Sequence, residues 1–167
     1  LTSDPETRDY AYAKFGGFML LLAGFITTSI SNHGYKWDFS GGAWSSTADT
    51  TPLATAGDAS CVAAAAVVTK KGAGERLWYT GGATLTNDDS TSTTVQFCDD
   101  ITDSTSPFTL SASGMVGDRN HHAICTDAIG GSEGSNGMVY VHGGKNNGVI
   151  AGTVSSFEKA AKSDGAT

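Results

Sequence analysis

The chain has 167 residues, of which 39% are apolar and 16% charged, against roughly 45–50% and 25% in typical soluble domains. Its 22 glycines exclude a coiled coil or helical bundle, and they favour short strands separated by glycine turns. The net charge of -7, with Lys70-Lys71 as the only adjacent basic pair, argues against nucleic acid or an anionic membrane surface as the partner.

The first predicted elements are two short strands, Tyr10–Ala13 and the apolar run Phe18–Ala23, which Gly24 ends. The longer segment Phe15–Ile30 is also the candidate for a membrane span. A span needs about 20 mostly apolar residues, and this segment has 16, three of them Gly and three Thr or Ser. The pattern therefore favours a buried strand followed by a turn, with a membrane anchor as the alternative.

The same pair of strands is predicted twice more along the chain. The apolar runs Leu77–Gly82 and Met138–Gly144 each end in two glycines, and each follows another short strand, Ser60–Val68 or His121–Cys125. Gly82 lies 58 positions after Gly24, and Gly144 lies 62 positions after Gly82. Self-similarity at a regular spacing is typical of repeat architectures.

An aromatic strand is predicted after the polar loop that follows each glycine. Trp37 and Phe157 lie 13 positions after Gly24 and Gly144, and Phe97 lies 15 after Gly82. A further aromatic follows in the first two repeats, Trp44 and Phe108. Each repeat therefore predicts three or four strands, with large aromatics as wedges between neighbouring sheets.

This ordering resembles the kelch repeat of β-propeller proteins. The resemblance implies an all-β fold in which residues 1–167 are a partial propeller of about three four-stranded blades, at 8–50, 57–111 and 117–167. The departures from the repeat are Ala23 before Gly24, Asp58 near an expected arginine, and Phe108 in place of a late tryptophan. The residues that carry the repeat are Arg8, Gly24, Trp44, Gly81, Gly82, Phe108, Arg119, His121, His122, Tyr140, Gly143 and Gly144.

The number of repeats has a geometric consequence. Propellers have about four to eight blades, and three cannot close a ring of ordinary radius. Repeat arrays also need capped ends. The sequence therefore predicts part of a larger ring, completed by further blades of a longer chain or by partner chains. We favour the longer chain.

Histidines and a cysteine form the only metal-like cluster: His121, His122, Cys125 and His142. Such side chains bind zinc or copper, but adjacent strand residues point to opposite faces, so His121 and His122 cannot easily reach one ion. The kelch resemblance gives them a structural position. We predict no metal, no cofactor and no catalytic residue.

The sequence raises two further possibilities, a calcium site and a copper oxidase site. Asn87–Asp89 and Asp99-Asp100 carry the oxygen ligands that calcium takes, but they lack EF-hand spacing and are typical of turns. Copper oxidases of the galactose oxidase type share the kelch architecture. No segment here resembles their ligand set, which blades outside this sequence could hold.

The predicted function is that of a non-catalytic protein-binding or scaffolding module, with contacts through the loops 69–76, 84–93 and 126–137. One alternative is an extracellular or luminal structural subunit of a larger array, with Cys61, Cys98 or Cys125 in disulfides. The other is a fragment of a copper oxidase of the kind just described. The odd number of cysteines leaves the compartment open, and the few lysines with abundant Ser, Thr and Gly incline towards the extracellular or luminal side.

Overall fold

The computed structural model describes residues 7–26, 29–30, 34–44, 63–71, 74–83, 91–101, 108–111, 114–115, 117–126, 138–146, 149–150 and 157–162. The regular elements of these residues are β-strands, and no helix occurs among them. The predicted all-β class is confirmed for this part of the chain. Within it, no helix is long and apolar enough to cross a membrane.

The chain up to residue 44 forms the strands β1 (Thr7–Arg8), β2 (Ala11–Phe15), β3 (Phe18–Leu22), β4 (Phe25–Ile26), β5 (Ser29–Ile30), β6 (Gly34–Asp38) and β7 (Ala43–Trp44). The first sheet is antiparallel, in the order β2-β3-β6-β7, and a smaller sheet has the order β1-β4-β5. Side chains of β2 are alternately buried and exposed, whereas β3 is fully buried from Leu20 to Leu22. The predicted buried strand of this region is therefore present.

The second sheet contains β8 (Ala65–Lys71), β9 (Gly74–Thr80), β10 (Val95–Cys98) and β11 (Thr109–Leu110). Its order is β11-β10-β9-β8, again antiparallel throughout. β9 is buried without interruption from Arg76 to Thr80. Uninterrupted burial is expected of a strand with protein on both faces.

The third sheet follows with β12 (Ala123–Thr126), β13 (Met138–His142), β14 (Lys145–Asn146), β15 (Val149–Ile150) and β16 (Phe157–Lys162). β12, β13 and β16 pair antiparallel in that order, and β14 pairs with β15 in a small separate sheet. A register shift interrupts the β13–β16 pairing between Met138 and Val139. The structure thus has three main antiparallel sheets in chain order.

The three sheets repeat one backbone pattern where their second strands end. β3, β9 and β13 each end directly before a pair of residues with positive φ, at Ala23 (54°) and Gly24 (90°), Gly81 (60°) and Gly82 (99°), and Gly143 (68°) and Gly144 (91°). The same short pairing follows each pair, with Phe25 opposite Ile30, Ala83 opposite Thr91 and Lys145 opposite Ile150. The repetition predicted from the glycines is therefore present in the backbone, and Ala23 adopts the conformation that glycine adopts in the other two sheets.

The core lies between the sheets. One apolar cluster joins the first and second sheets and includes Leu20, Leu22, Leu77, Tyr79 and Phe108. A second cluster joins the second and third sheets through Trp78 on the opposite face of β9, Val95 of β10, Met115, and Val139 and Val141 of β13. The second sheet is therefore covered on both faces, because successive residues of β9 point alternately to its two neighbours.

The aromatic strand predicted after each loop is present, since Trp37, Phe97 and Phe157 lie on β6, β10 and β16. Their distances from the glycine, however, do not follow the strand register. Gly34, Val95 and Phe157 occupy the equivalent positions, opposite Leu22, Thr80 and His142. Trp37 is three residues further along its strand and lies opposite Met19, so its equal distance from the glycine is coincidental. The loop after Gly24 is three residues shorter than the others, which shifts the register relative to a simple count from the glycine.

We predict that Gly81→Ala destabilises the fold much more than Gly17→Ala. Both glycines have positive φ, so both substitutions carry left-handed strain of roughly 1–2 kcal/mol. A Cβ at Gly81 would also lie 2.5 Å from the Arg119 carbonyl and 2.7 Å from the His122 ring, whereas nothing lies within 4 Å at Gly17. Urea unfolding should give a further loss of about 1–3 kcal/mol for Gly81→Ala. Equal losses in the two variants would contradict the close contact between the second and third sheets.

Candidate functional site

The strands β2, β8 and β12 come first in the three main sheets, and we call them the inner strands. A backbone hydrogen bond that repeats joins the chain just before each of them. The Ala63 N–H donates to the Asp9 carbonyl at 2.7 Å, and the His121 N–H donates to the Ala63 carbonyl at 2.8 Å. These three residues have φ of 54°, 53° and 49°, and each lies two positions before the inner strand of its sheet. The turned backbone at this position therefore connects each inner strand to the next.

A groove of about 310 Å³ lies where these inner strands begin. Its floor is made of small side chains from all three sheets. Because these side chains are small, the strands can lie close together. Tyr10 and Tyr12 form one wall, and they are 37% and 72% exposed. The lining is completed by Ala11, Ala64, Ala65, Ala66, His122, Ala123 and Ile124. We take this groove and its two tyrosines as the candidate functional site.

His122 is the buried polar group of this groove. Its Nε2 lies 2.9 Å from Thr80 Oγ1 across the boundary between the second and third sheets. Burial lowers the pKa of His122 to about 4, and the positive charges of Arg119 and His121 act in the same direction. The imidazole is therefore neutral at physiological pH and serves as a hydrogen-bonding contact between sheets.

Arg119 ties the glycine pair of the third sheet to the preceding turn. Its Nη1 donates to the Gly143 carbonyl at 3.2 Å and its Nε to the Gly117 carbonyl at 3.4 Å. Its own carbonyl accepts the Gly82 N–H at 2.8 Å. Arg119 thus contacts both the second and the third sheet, and its role here is to hold the two sheets together.

A buried arginine, Arg76, lies on the face of the second sheet that the third sheet covers. The Arg76 guanidinium binds the Asp99 carboxylate through two hydrogen bonds of 2.6 and 2.8 Å. It stacks 4.0 Å from the Phe97 ring centroid and 5.4 Å from that of Trp78, whose Nε1 donates to Thr69 Oγ1. The Arg76 contacts therefore join β9 to the end of β10, and the Trp78 bond joins β9 to β8.

The loops predicted as contact sites are only partly described. Of 69–76, the structure describes 69–71 at the end of β8 and 74–76 at the start of β9, and Thr69 and Arg76 are buried there. Most of 84–93 and of 126–137 lies outside the described residues. Of 84–93, Thr91 is described and its hydroxyl donates to Asp118, while Ser92 is buried.

The remaining residues of the predicted repeat lie on the three sheets as follows. Trp44 lies opposite Trp37 in the first sheet, and Arg8 lies opposite Phe25 in the small sheet. Phe108 is buried in the apolar cluster that joins the first two sheets. Tyr140 is half-buried on β13, on the face away from the second sheet.

The metal candidates are not assembled. In the part of the chain that the structure describes, no group of three or more His, Cys, Asp or Glu side chains could hold a metal ion. The predicted calcium candidates Asn87–Asp89 lie outside the described residues, and Asp99 binds Arg76 instead. Cys98 is buried and Cys125 is exposed, while Cys61 is not described.

Several important positions were missed by sequence reasoning. Asp9 and Ala63 adopt positive φ without being glycine, so no residue type indicated the repeated inter-sheet bond. Thr80 lies inside an apolar strand, and nothing in the sequence connects it with His122. Arg76 could have been recognised as a buried arginine only from the apolar run that directly follows it.

The chain matches no known family model, and no curated protein matches it.

We predict that the free energy of unfolding decreases as the pH is lowered below about 6.5, because of His122. Its pKa is about 4 in the folded protein and close to 6.5 when exposed, so between these values the unfolded chain binds more protons. The free energy of unfolding is therefore at its full value above about pH 6.5 and declines towards pH 4, by on the order of 3 kcal/mol for this group. Urea unfolding between pH 4 and 7 measures the loss, and His122→Gln should remove this part of the pH dependence. An unchanged dependence in His122→Gln would contradict the assignment.

We predict that Arg76→Ala lowers the free energy of unfolding by about 2–3 kcal/mol. This loss is smaller than the loss expected for a fully buried ion pair, because the Asp99 side chain is 37% exposed. Arg76→Lys keeps the charge but loses the two-point contact and the flat stacking surface, so it should fall between wild type and Arg76→Ala. Urea denaturation tests this order, and Arg76→Lys behaving as wild type would show that charge alone matters.

Proposed function

We propose that this chain is a non-catalytic protein-binding or scaffolding module built from kelch-like blades of a β-propeller. The observation that carries the proposal is the pair of exposed tyrosines, Tyr10 and Tyr12, on a groove that the inner strands of all three sheets line. The serial sheets with equivalent turns and equivalent inter-sheet bonds support the kelch-like part of it.

The physical argument for protein binding is the kind of surface that these residues form. Tyrosine is enriched at protein interfaces because its ring buries a large area while its hydroxyl keeps a hydrogen-bond partner. The groove is lined largely by alanines, whose small side chains leave room for a side chain of a partner. The sheets beneath are joined by packed apolar clusters, so the surface is held rigidly and little order has to be gained on binding.

We predict that a protein partner contacts the chain at Tyr12. A photoreactive phenylalanine analogue at Tyr12 should cross-link to a protein in an extract of the native source. The same analogue at Phe39, which is 54% exposed but lies away from the groove, is the control. With the partner purified, Tyr12→Ala should weaken binding at least tenfold, whereas Phe39→Ala should leave it unchanged. Equal cross-linking from both positions, or equal losses from both alanine variants, would contradict the proposal.

A further inference from the structure

The imidazole of His122 has one nitrogen with a hydrogen-bond partner and one without. Nε2 lies 2.9 Å from the hydroxyl oxygen of Thr80, whereas Nδ1 is buried and has no partner among the described residues. The residue as a whole is 8% exposed, so bulk water does not supply the missing bond. A buried polar group without a partner destabilises a protein, and its presence in the lining of a groove calls for a physical explanation.

The Thr80 hydroxyl determines which nitrogen carries the ring proton. Thr80 is fully buried, and within the described part of the chain its hydroxyl has one hydrogen bond, to His122. If this hydroxyl accepted a bond from Nε2–H, its own proton would be buried without an acceptor, in addition to the unmatched Nδ1. If it donates to Nε2, only Nδ1–H is unmatched. Because burial lowers the pKa of His122 to about 4, the ring has a single proton at neutral pH, and that proton lies on Nδ1.

The groove is the side from which an acceptor can approach this N–H. His122 lines it together with alanines of all three sheets. Other sides of the residue are closed by backbone, since a Cβ built at Gly81 would lie 2.7 Å from the ring Cε1 and one at Gly144 would lie 3.0 Å from the His122 Cβ. The volume of about 310 Å³ is at the lower end of the range of sites that hold a ligand. The groove therefore has room for a side chain of a partner.

The charges around the ring favour an anion as the acceptor. Arg119 and His121 help to lower the pKa of His122 through their positive charges, so the electrostatic potential at the ring is positive. The same potential attracts a carboxylate that comes close to the ring. The net charge of -7 of the whole chain acts in the opposite direction, but charges more than about 8 Å away are largely screened at physiological ionic strength. The local charges therefore decide which group binds.

We infer that the groove binds an acidic side chain of the protein partner, whose carboxylate accepts a hydrogen bond from Nδ1–H of His122. The inference rests on the proposed function and names the chemistry that the partner presents to this site. The hydroxyls of Tyr10 and Tyr12, which line the same groove, are further hydrogen-bond donors for a carboxylate. A hydrogen bond to a charged acceptor is roughly twice as strong as a neutral one, so an amide side chain of the same shape binds more weakly.

The first test is the position of the ring proton in the purified chain. Long-range proton–nitrogen NMR spectra of the chain labelled with ¹⁵N-histidine distinguish a protonated Nδ1 from a protonated Nε2. The chain has four histidines, so the signals that His122→Gln removes identify the ring. A proton on Nδ1 at neutral pH is expected. A proton on Nε2 overturns the inference, because the ring would then offer the groove an acceptor rather than a donor.

The second test is binding of two probes that differ only in the charged group. N-acetyl-glutamate N-methylamide should bind the wild-type chain with a dissociation constant on the order of 1 mM, as expected for a ligand of its size. It should also shift the His122 ring signals. The matching glutamine derivative should bind at least tenfold more weakly, because it lacks the charge. Equal binding of the two probes overturns the inference, and so does the absence of any shift at His122.

The third test separates the two nitrogens of the ring by substitution. Glutamine places its amide near the position of Nε2, where it can still bond to Thr80, whereas asparagine places its amide near Nδ1. His122→Gln should therefore weaken binding of the glutamate derivative at least tenfold, while His122→Asn keeps the donor and most of the affinity. Phe39→Ala is the control and should leave the affinity unchanged. Wild-type affinity in folded His122→Gln overturns the inference, and the wild-type titration remains decisive if either variant does not fold.

These results separate the inference from the proposed function. A chain that cross-links from Tyr12 to a protein but does not bind the glutamate derivative rejects the acidic side chain and retains the binding function. A chain that does neither rejects both.

Discussion

The architecture depends on a backbone hydrogen bond between residues in a left-handed turn. Asp9, Ala63 and His121 each adopt a φ near +50°, a conformation that costs roughly 1–2 kcal/mol for a residue with a Cβ. At Ala63 the turn presents its carbonyl to the third sheet and its N–H to the first, so this one residue makes two contacts. Because the bond is directional, it orders the sheets in series.

Side-chain packing then stabilises the contacts between the sheets that the backbone hydrogen bonds align. The second sheet shows this most clearly, because Leu77 and Tyr79 pack against the first sheet while Trp78 packs against the third. The two contacts need not use the same chemistry. Leu22 with Ala64 is an apolar pair, whereas the equivalent Thr80 and His122 form a buried hydrogen bond whose neutral imidazole is maintained by burial.

Sequence patterns predicted the all-β class and the order of the main strands, because both depend on local signals. The apolar runs that end in glycine correctly predicted β3, β9 and β13, because such a run is typical of a buried strand and the glycine permits the turn after it. The aromatic strand after each loop was also predicted, but equal spacing from the glycine does not mark equivalent positions, because the loops differ in length. The inter-sheet bond could not be predicted, because Asp9 and Ala63 adopt positive φ under tertiary constraint and carry no residue signal. The tyrosine-lined groove was missed for a related reason, since its wall and floor come from three separate strands.

The measurement that tests the account most directly is NMR detection of scalar couplings across the two inter-sheet hydrogen bonds. The account predicts couplings from the Ala63 amide nitrogen to the Asp9 carbonyl carbon, and from the His121 amide nitrogen to the Ala63 carbonyl carbon. Detection of both would establish a serial contact that repeats from sheet to sheet. Absence of both couplings, with rapid exchange of the Ala63 and His121 amide protons, would contradict it.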